Sequence, residues 1–421
     1  MVNKNGFKRI AMLSTHGYFD PVPQLGRTDT GGQVVYVLEL AKALTGLGVG
    51  ADIYTRWFDR ESKQIDPVPE CPEVRVIRIH GGPWEFIPKE RIYDSLPELA
   101  TNMAAFIRDR GFEYDIYHGH YVDAGIVTLD VAKEMDRPAF FTAHSLGAWK
   151  REQMCGEPEE MEKKYNYEHR IAEEKRIFGS VVAQSVTTEL QKEKLENLYG
   201  FTGDNVEVIP PGVDVHTYRP PEPGGVRPEW LPGRYIFCLS RIDSNKGHDL
   251  LLEAFDLVRK DVPDVRLVVG GGSKNPEERE IEVLDMMKGI IDSRGMADRV
   301  DLIGYVPDEK LVHYYRHAEL FVLPSLFEPF GMTAIEAMAC GTPVVASKFG
   351  GIKNVITDDA NGLLVDVQDD EAFAGAMKRL LAKRDLAGSF GRSACETVQQ
   401  GYSWEAIARR HIAFYERFLG K

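Results

Sequence analysis

Two successive series of short apolar runs, each run separated from the next by chain enough for a helix, constrain this sequence more than anything else in it. The first series places strands at residues 9–14, 52–55, 74–79, 115–118, 139–142 and 181–183. The second places them at 235–240, 266–270, 301–304, 320–324, 344–346 and 362–365. Strands alternating with crossover helices make a parallel sheet covered on both faces, so the reading is α/β, with two doubly wound Rossmann-like domains. The turn-rich string Ile209-Pro210-Pro211-Gly212 and the prolines of residues 220–232 separate them. The expected division is 1–212, 213–402 and a terminal helix, 403–421, with an apolar face of Trp404, Ile407, Phe414, Tyr415 and Phe418. Ligands of such domains bind outside the carboxyl ends of the strands, here in a cleft between two domains facing each other.

A chain of 421 residues is long enough for two full cores. Its net charge of -14 excludes a nucleic-acid or anionic-membrane surface as the main partner. An anionic substrate must then be met by a few local basic side chains. Cys71, Cys155, Cys238, Cys340 and Cys395 are scattered and form no paired motif, which fits free thiols in a reducing compartment. The first residues carry only a four-residue apolar stretch, Ile10 to Leu13, too short for a signal peptide, and no run is long enough to span a bilayer. A cytoplasmic protein is expected.

The most informative stretch is residues 324–345, PSLFEPFGMTAIEAMACGTPVV. A buried strand enters a loop bracketed by Pro329 and Gly331, and a helix over 331–340 stops at Gly341-Thr342-Pro343. Glu328 lies in the loop and Glu336, with seven residues between them, inside an apolar helix. Two carboxylates so placed can accept hydrogen bonds from the vicinal hydroxyls of sugars and riboses. A helix-dipole partner and a satisfied core glutamate are the bland alternatives. Elsewhere, Gly31-Gly32 opens a helix carrying Val34, Leu38, Ala41 and Leu44, where free amides favour an anion. A simple cap by Asp29 or Thr30 accounts for that string equally well.

Glu-Pro-Phe-Gly followed by Glu336 resembles the signature of the retaining glycosyltransferases of family 4, which have the GT-B fold. The string Asp29-Thr30-Gly31-Gly32-Gln33-Val34-Val35-Tyr36-Val37 is similar to the sucrose-phosphate synthase and mannosylfructose-phosphate synthase group within it. The resemblance covers nearly the whole chain, and the terminal helix of such proteins crosses back to the first domain. It implies that Glu328, Phe330, Gly331, Met332 and Thr333 hold the donor hexose and Glu336 the donor ribose. Gly31 and Gly32 would meet donor phosphate, with Gly32 and Gln33 also touching the acceptor. Gly271 lies in a strand-end loop near the nucleotide, and Tyr305 and Val306 would meet its base.

The same resemblance places Lys89, Tyr121, Ser145, Lys150 and Arg170 around fructose 6-phosphate, whose dianionic phosphate suits two lysines and an arginine. His120 and Asp123 join the expected acceptor set as strand-end residues, where substrate groups should come from. From the residues alone, Lys89 stands at a helix start, where the dipole disfavours it. His144, at a strand end, would face the donor hexose, and Arg241 and Lys246 would stabilise the departing diphosphate. With Glu328 these form the expected catalytic set. The implied reaction is hexosyl transfer from GDP-mannose, or from UDP-glucose or ADP-glucose, making a phosphorylated non-reducing disaccharide. It needs no metal or other cofactor, and a separate sugar phosphatase would act on the product. A nucleotide-sugar epimerase is the alternative from another class.

Two patterns are decoys. His313 and His317 have the spacing of a helical zinc pair but lack the glutamate between them and a third ligand. Asp358-Asp359 and Asp369-Asp370 are adjacent acids, better explained as loop charges or helix caps.

Overall fold

The computed structural model describes residues 6–23, 31–153, 157–273, 278–326, 328 and 330–419. Asp29, Thr30, Cys155 and Pro329, which entered the sequence reading, lie outside them. The chain divides into two compact units, 1–212 with 404–421, and 213–403. The proline-rich stretch at 220–232 therefore belongs to the second.

The first unit's strands are β1 (Arg9–Leu13), β2 (Gly50–Trp57), β3 (Ile65–Val68), β4 (Cys71–His80), β5 (Ile116–His120), β6 (Ala139–Thr142), β7 (Ala183–Val186) and β8 (Val206–Val208). They form one sheet in the order β3-β4-β2-β1-β5-β6-β7-β8. It is not purely parallel. β3, unforeseen in the sequence, runs antiparallel to β4, and Pro67 within it suits an edge. The strand expected at 181–183 sits a few residues later, because Val181 ends the preceding helix. The short β8 also escaped notice, since it offers only three residues.

The second unit holds β9 (Arg234–Leu239), β10 (Val265–Gly270), β11 (Val300–Gly304), β12 (Leu320–Leu323), β13 (Val344–Ser347) and β14 (Leu363–Val365), in the order β11-β10-β9-β12-β13-β14 and parallel throughout.

Both sheets reverse direction in the middle. The chain leaves β1 for β2 on one side and later returns to β5 on the other. It leaves β9 for β10 and returns to β12. At such a switch point the flanking loops diverge and leave a crevice at the carboxyl edge. Helices cover both faces of each sheet. Those that concern the site in the first unit are α1 (Gly32–Gly46), α2 (Leu96–Asp109), α3 (Val122–Glu134), α4 (Gly147–Gln153), α5 (Pro158–Tyr165), α6 (Tyr167–Ser180) and α7 (Glu189–Tyr199).

The second unit follows with α8 (His248–Asp261), α9 (Glu278–Ser293), α10 (Asp308–His317), α11 (Met332–Ala339), α12 (Asp370–Ala382) and α13 (Arg384–Gly401). The last helix, α14 (Trp404–Leu419), belongs to the first unit and packs on α1. Its Ile407, Phe414 and Tyr415 join Phe7, Val37 and Phe140 in one core cluster. No described helix is long and apolar enough to cross a membrane.

Candidate active site

At the switch point of the first sheet, the loop after β1 is held by a carboxylate at the start of α3. Asp123, fully buried, takes hydrogen bonds from Thr15 Oγ1 and from His16 Nδ1 at 2.9 Å. Burial alone would raise its pKa, but His16 and Thr15 outweigh it and hold the carboxyl below its ordinary value. Asp123 was expected on the acceptor; in the structure its oxygens take the hydrogen bonds of Thr15 and His16 in the loop after β1. Gln33 Nε2 donates to Ser14 Oγ and to the His120 carbonyl, both at 3.1 Å, tying α1 to β1 and β5. Gly31 caps α1, and a Cβ on Gly31 or Gly32 would meet no atom of the described residues within 4 Å.

His144 follows β6 with φ 47°, a left-handed conformation rare for a non-glycine residue, and the Ser145 amide donates to the Ala143 carbonyl across it. Its Nε2 lies 3.0 Å from His120 Nδ1, and its ring meets the edge of Tyr36 at 4.8 Å. Burial, and then the nearby His16, push its pKa down to about 3, so the imidazole is neutral. His120 was expected on the acceptor as well. It ends a strand buried along its whole length, and its Nδ1 meets His144 Nε2.

Five of the expected acceptor residues, Lys89, Tyr121, Ser145, Lys150 and Arg170, come together. Lys89, Tyr121, Lys150 and Arg170 line one pocket, together with Glu90, Tyr93, Tyr165 and Tyr167. Arg170, on α6 and 5% exposed, gives Nε to Glu174 at 2.9 Å and Nη2 to Ser145 Oγ at 3.0 Å. Burial disfavours its charge, yet Glu174 more than compensates and raises its pKa. Its guanidinium lies over the Tyr121 ring at 4.6 Å. Tyr121 itself takes φ 78°, and burial lifts its hydroxyl to about 12. Lys150, on α4, stands 5.8 Å over the Tyr165 ring. Lys89 pairs with Glu90 at 3.2 Å and sits in a turn ahead of α2, not at a helix start. The Tyr167 hydroxyl is buried without a partner.

In the second unit the residues expected to meet the donor follow the carboxyl ends of β9, β10, β11 and β12, with Glu336 in α11. Lys246 Nζ meets Glu328 Oε2 at 2.8 Å, with Lys246 buried. Gly247 makes that contact possible: its φ is 67°, and any Cβ there would run into the Pro324 carbonyl at the end of β12. Gly331, at φ 94°, is wedged between Leu323 and Ile352 and caps α11, leaving the first amides of that helix, Met332 and Thr333, facing outward from the turn. Phe330 is buried behind them. Glu336 accepts from the Tyr315 hydroxyl at 2.7 Å, and burial pushes its pKa up to about 7 despite that bond. Arg241 is exposed and forms no ion pair with another described residue. The Gly271 amide donates to the Gly304 carbonyl at 2.8 Å, which sets exposed Tyr305 and buried Val306 beside the strand ends.

Sequence reasoning missed Glu174, Glu90, Tyr93, Tyr165, Tyr167 and Tyr315. The i, i+4 spacing of Arg170 and Glu174 was a usable signal; the others are joined only by folding. The decoys resolve into local roles. Asp369 Oδ1 caps α12 through the Ala372 amide at 3.0 Å, and Asp358 accepts from Leu364 at 2.9 Å. His313 lies edge-on to Trp230 and stacks on His317.

Comparison with known proteins fits this geometry. Residues 30–217 match the model described as Glycosyltransferase Family 4, residues 230–397 that of Glycosyl transferases group 1, and residues 5–48 that of the sucrose synthase first GT-B domain. Mannosylfructose-phosphate synthase of Agrobacterium fabrum is 38% identical over 97% of this chain and 91% of its own. D-inositol 3-phosphate glycosyltransferase of Xylanimonas cellulosilytica is 33% identical over 97% and 96%. The solved sucrose-phosphate synthase of Thermosynechococcus elongatus is 31% identical and superposes with a TM-score of 0.77 over 98% of this chain and 99% of that one. The chain belongs to glycosyltransferase family 4, and it is a glycosyltransferase of GT-B fold.

Proposed function

We propose that this enzyme transfers a hexosyl group, with retention at the anomeric carbon, from a nucleotide diphosphate sugar to fructose 6-phosphate. The observation that carries the reading is the pocket of Lys89, Lys150 and Arg170 in a chain of net charge -14. Three cations converging among tyrosines suit a dianionic phosphate and have little to offer a neutral sugar. The names of the relatives support it, since each synthase or transferase compared above acts on, or makes, a sugar or cyclitol phosphate.

The first unit holds the acceptor and the second the donor. Glu328 and the Met332 and Thr333 amides bind the hexose, Glu336 the ribose, and the region of Gly271, Tyr305 and Val306 the base. As the bond from the anomeric carbon to the diphosphate oxygen breaks, negative charge on the leaving oxygen is met by Arg241, Lys246 and the Gly31-Gly32 amides. The acceptor hydroxyl forms the new bond and gives its proton to the leaving diphosphate, so no metal is needed. The donor is GDP-mannose in this reading, with UDP-glucose or ADP-glucose the competing choice. The reaction takes place in the cytoplasm, and a phosphatase then removes the product's phosphate.

The test is a panel of GDP-mannose, UDP-glucose, ADP-glucose and GDP-glucose against fructose 6-phosphate, free fructose and inositol 3-phosphate, with linkage analysis of the product. Nucleotide diphosphate release with fructose 6-phosphate, and little with free fructose, is expected. Release with inositol 3-phosphate alone would move this chain to the other group of relatives. Conversion of a donor with no acceptor present would make it an epimerase.

A further inference from the structure

Behind His144 stands a stack of buried imidazoles whose hydrogen atoms can be placed by elimination. His118 lies on His120 with ring centroids 4.3 Å apart and planes 25° from parallel. The nitrogens of His118 are taken by the Tyr415 hydroxyl at 2.6 Å and Thr142 Oγ1 at 2.8 Å. Among the described residues the His120 ring has one hydrogen-bond partner: Nδ1 shares a hydrogen with His144 Nε2, and Nε2 is buried without any.

Two neutral rings joined by one hydrogen bond can share it in two ways. If His144 donates from Nε2, His120 must accept at Nδ1 and carry its own hydrogen on Nε2, as a buried N–H with no acceptor. If His120 donates from Nδ1, its buried Nε2 is a bare lone pair. Native interiors leave acceptors unsatisfied more readily than N–H donors, so the second arrangement is preferred. A doubly protonated His120 would combine the orphaned N–H with a buried charge stacked on His118. Burial first, and then His118 and His144, hold its pKa well below the ordinary imidazole value.

We propose that His120 is a positioning residue that fixes His144 as the Nδ1–H tautomer, so that His144 presents the bound hexose with a hydrogen-bond donor and not with a base. The proposal rests on the donor-hexose role given to His144 above. It assigns the imidazole an orienting part: Nε2 is occupied by the hydrogen from His120, and Nδ1, which bonds no described residue, carries the hydrogen that a sugar hydroxyl accepts. A neutral ring adds no positive charge beside the positive charge that develops on the hexose.

The experiment is long-range 1H–15N correlation on the full chain labelled with 15N-histidine, His144 being assigned by its loss in His144→Gln. It runs beside turnover of His120→Phe and His120→Asn. In the wild type His144 should show a protonated Nδ1 and a bare Nε2, unchanged between about pH 5 and 8. His120→Phe keeps a ring and donates nothing; its kcat should fall ~10-fold, the size of one lost hydrogen bond, with the donor KM nearly unchanged. His120→Asn can still donate to Nε2 and should recover most of that loss. A wild-type proton on Nε2, or full turnover by His120→Phe, overturns the proposal, and the spectrum alone decides it if the variants fold poorly. A wild-type chain that transfers hexose from no donor overturns the role on the hexose, whichever tautomer is seen.

Discussion

The two units hold their charged groups in opposite ways. In the first, most of the charges near the pocket are already answered: Arg170 by Glu174, Lys89 by Glu90, Asp123 by His16. In the second, Lys246 and Glu328 are paired, but exposed Arg241 forms no ion pair with a described residue and Glu336 has only a tyrosine hydroxyl. Pre-paired groups are rigid and select by geometry, because their desolvation has been met during folding. Groups without a counter-charge wait for the ligand to complete them, and their protonation and orientation depend on whether it is there. An acceptor pocket of the first kind should be damaged through stability as well as binding. A donor site of the second kind should respond to pH.

The largest effect is expected from breaking the pair that anchors the pocket. Arg170→Ala leaves Glu174, 2% exposed at its side chain, buried without a cation, which should cost about 3–5 kcal/mol in urea unfolding. Adding Glu174→Gln removes the orphaned charge, and the carboxamide it introduces can still meet the Gly147 amide and the Tyr199 hydroxyl that Glu174 serves. The double variant should regain ~1 kcal/mol or more of that loss and still fail to use fructose 6-phosphate. Normal use of the phosphosugar by the double variant would reduce the pair to a structural one and erase the contrast between the units.

Glu336 tests the other side of the comparison, with an effect of about 3 kcal/mol at most. Its ordinary value of 4.5 is raised to about 7 in the folded chain. Between these values the native state holds a proton that the unfolded chain has lost, so stability falls as pH rises from about 4.5 to about 7 and levels off above. Donor affinity should move the opposite way, tightening as the carboxylate forms and can accept the ribose hydroxyls. Glu336→Gln should flatten both profiles. Calorimetric titration with GDP and thermal unfolding, each across this range, measure them; a wild type with flat profiles would mean that Glu336 is already answered in the folded state.

These contrasts also explain what could be read from the chain before it was folded. The two sheets were legible because β6, β9 and β12 are short, largely apolar and buried, and because Gly341 and Pro343 mark where α11 stops. β3 and β8 were not, being three or four residues long at the sheet edges, with Pro67 inside one. Glu328 and Glu336 stood out as isolated carboxylates in apolar surroundings. Their partners did not: Lys246 and Tyr315 are 82 and 21 residues away, and only the turn at Gly247 and the packing of α10 on α11 join them. His120 and Asp123 were placed on the acceptor because they stand at a strand end; their bonds to His144, Thr15 and His16 were not legible in the sequence. Alternation cannot say which way a side chain of β5 faces when every residue of the strand is buried.

The smallest effect is expected at Tyr167, and it separates binding from scaffolding most cleanly. Its ring lines the proposed phosphate pocket one turn before Arg170, and its hydroxyl is buried with no partner among the described residues. A hydroxyl kept for structure would have found a bond on folding, and its removal would weaken the fold. A hydroxyl kept for a ligand stays unsatisfied until the ligand arrives, so its removal leaves the free protein as stable as before, or slightly more so. Tyr167→Phe should therefore hold or raise Tm in the free enzyme. It should also raise the KM for fructose 6-phosphate by about fivefold, about 1 kcal/mol for one neutral hydrogen bond to the phosphosugar. A lower Tm with an unchanged KM would place Tyr167 in the frame of α6, and the pocket would then recognise its anion through the cations alone.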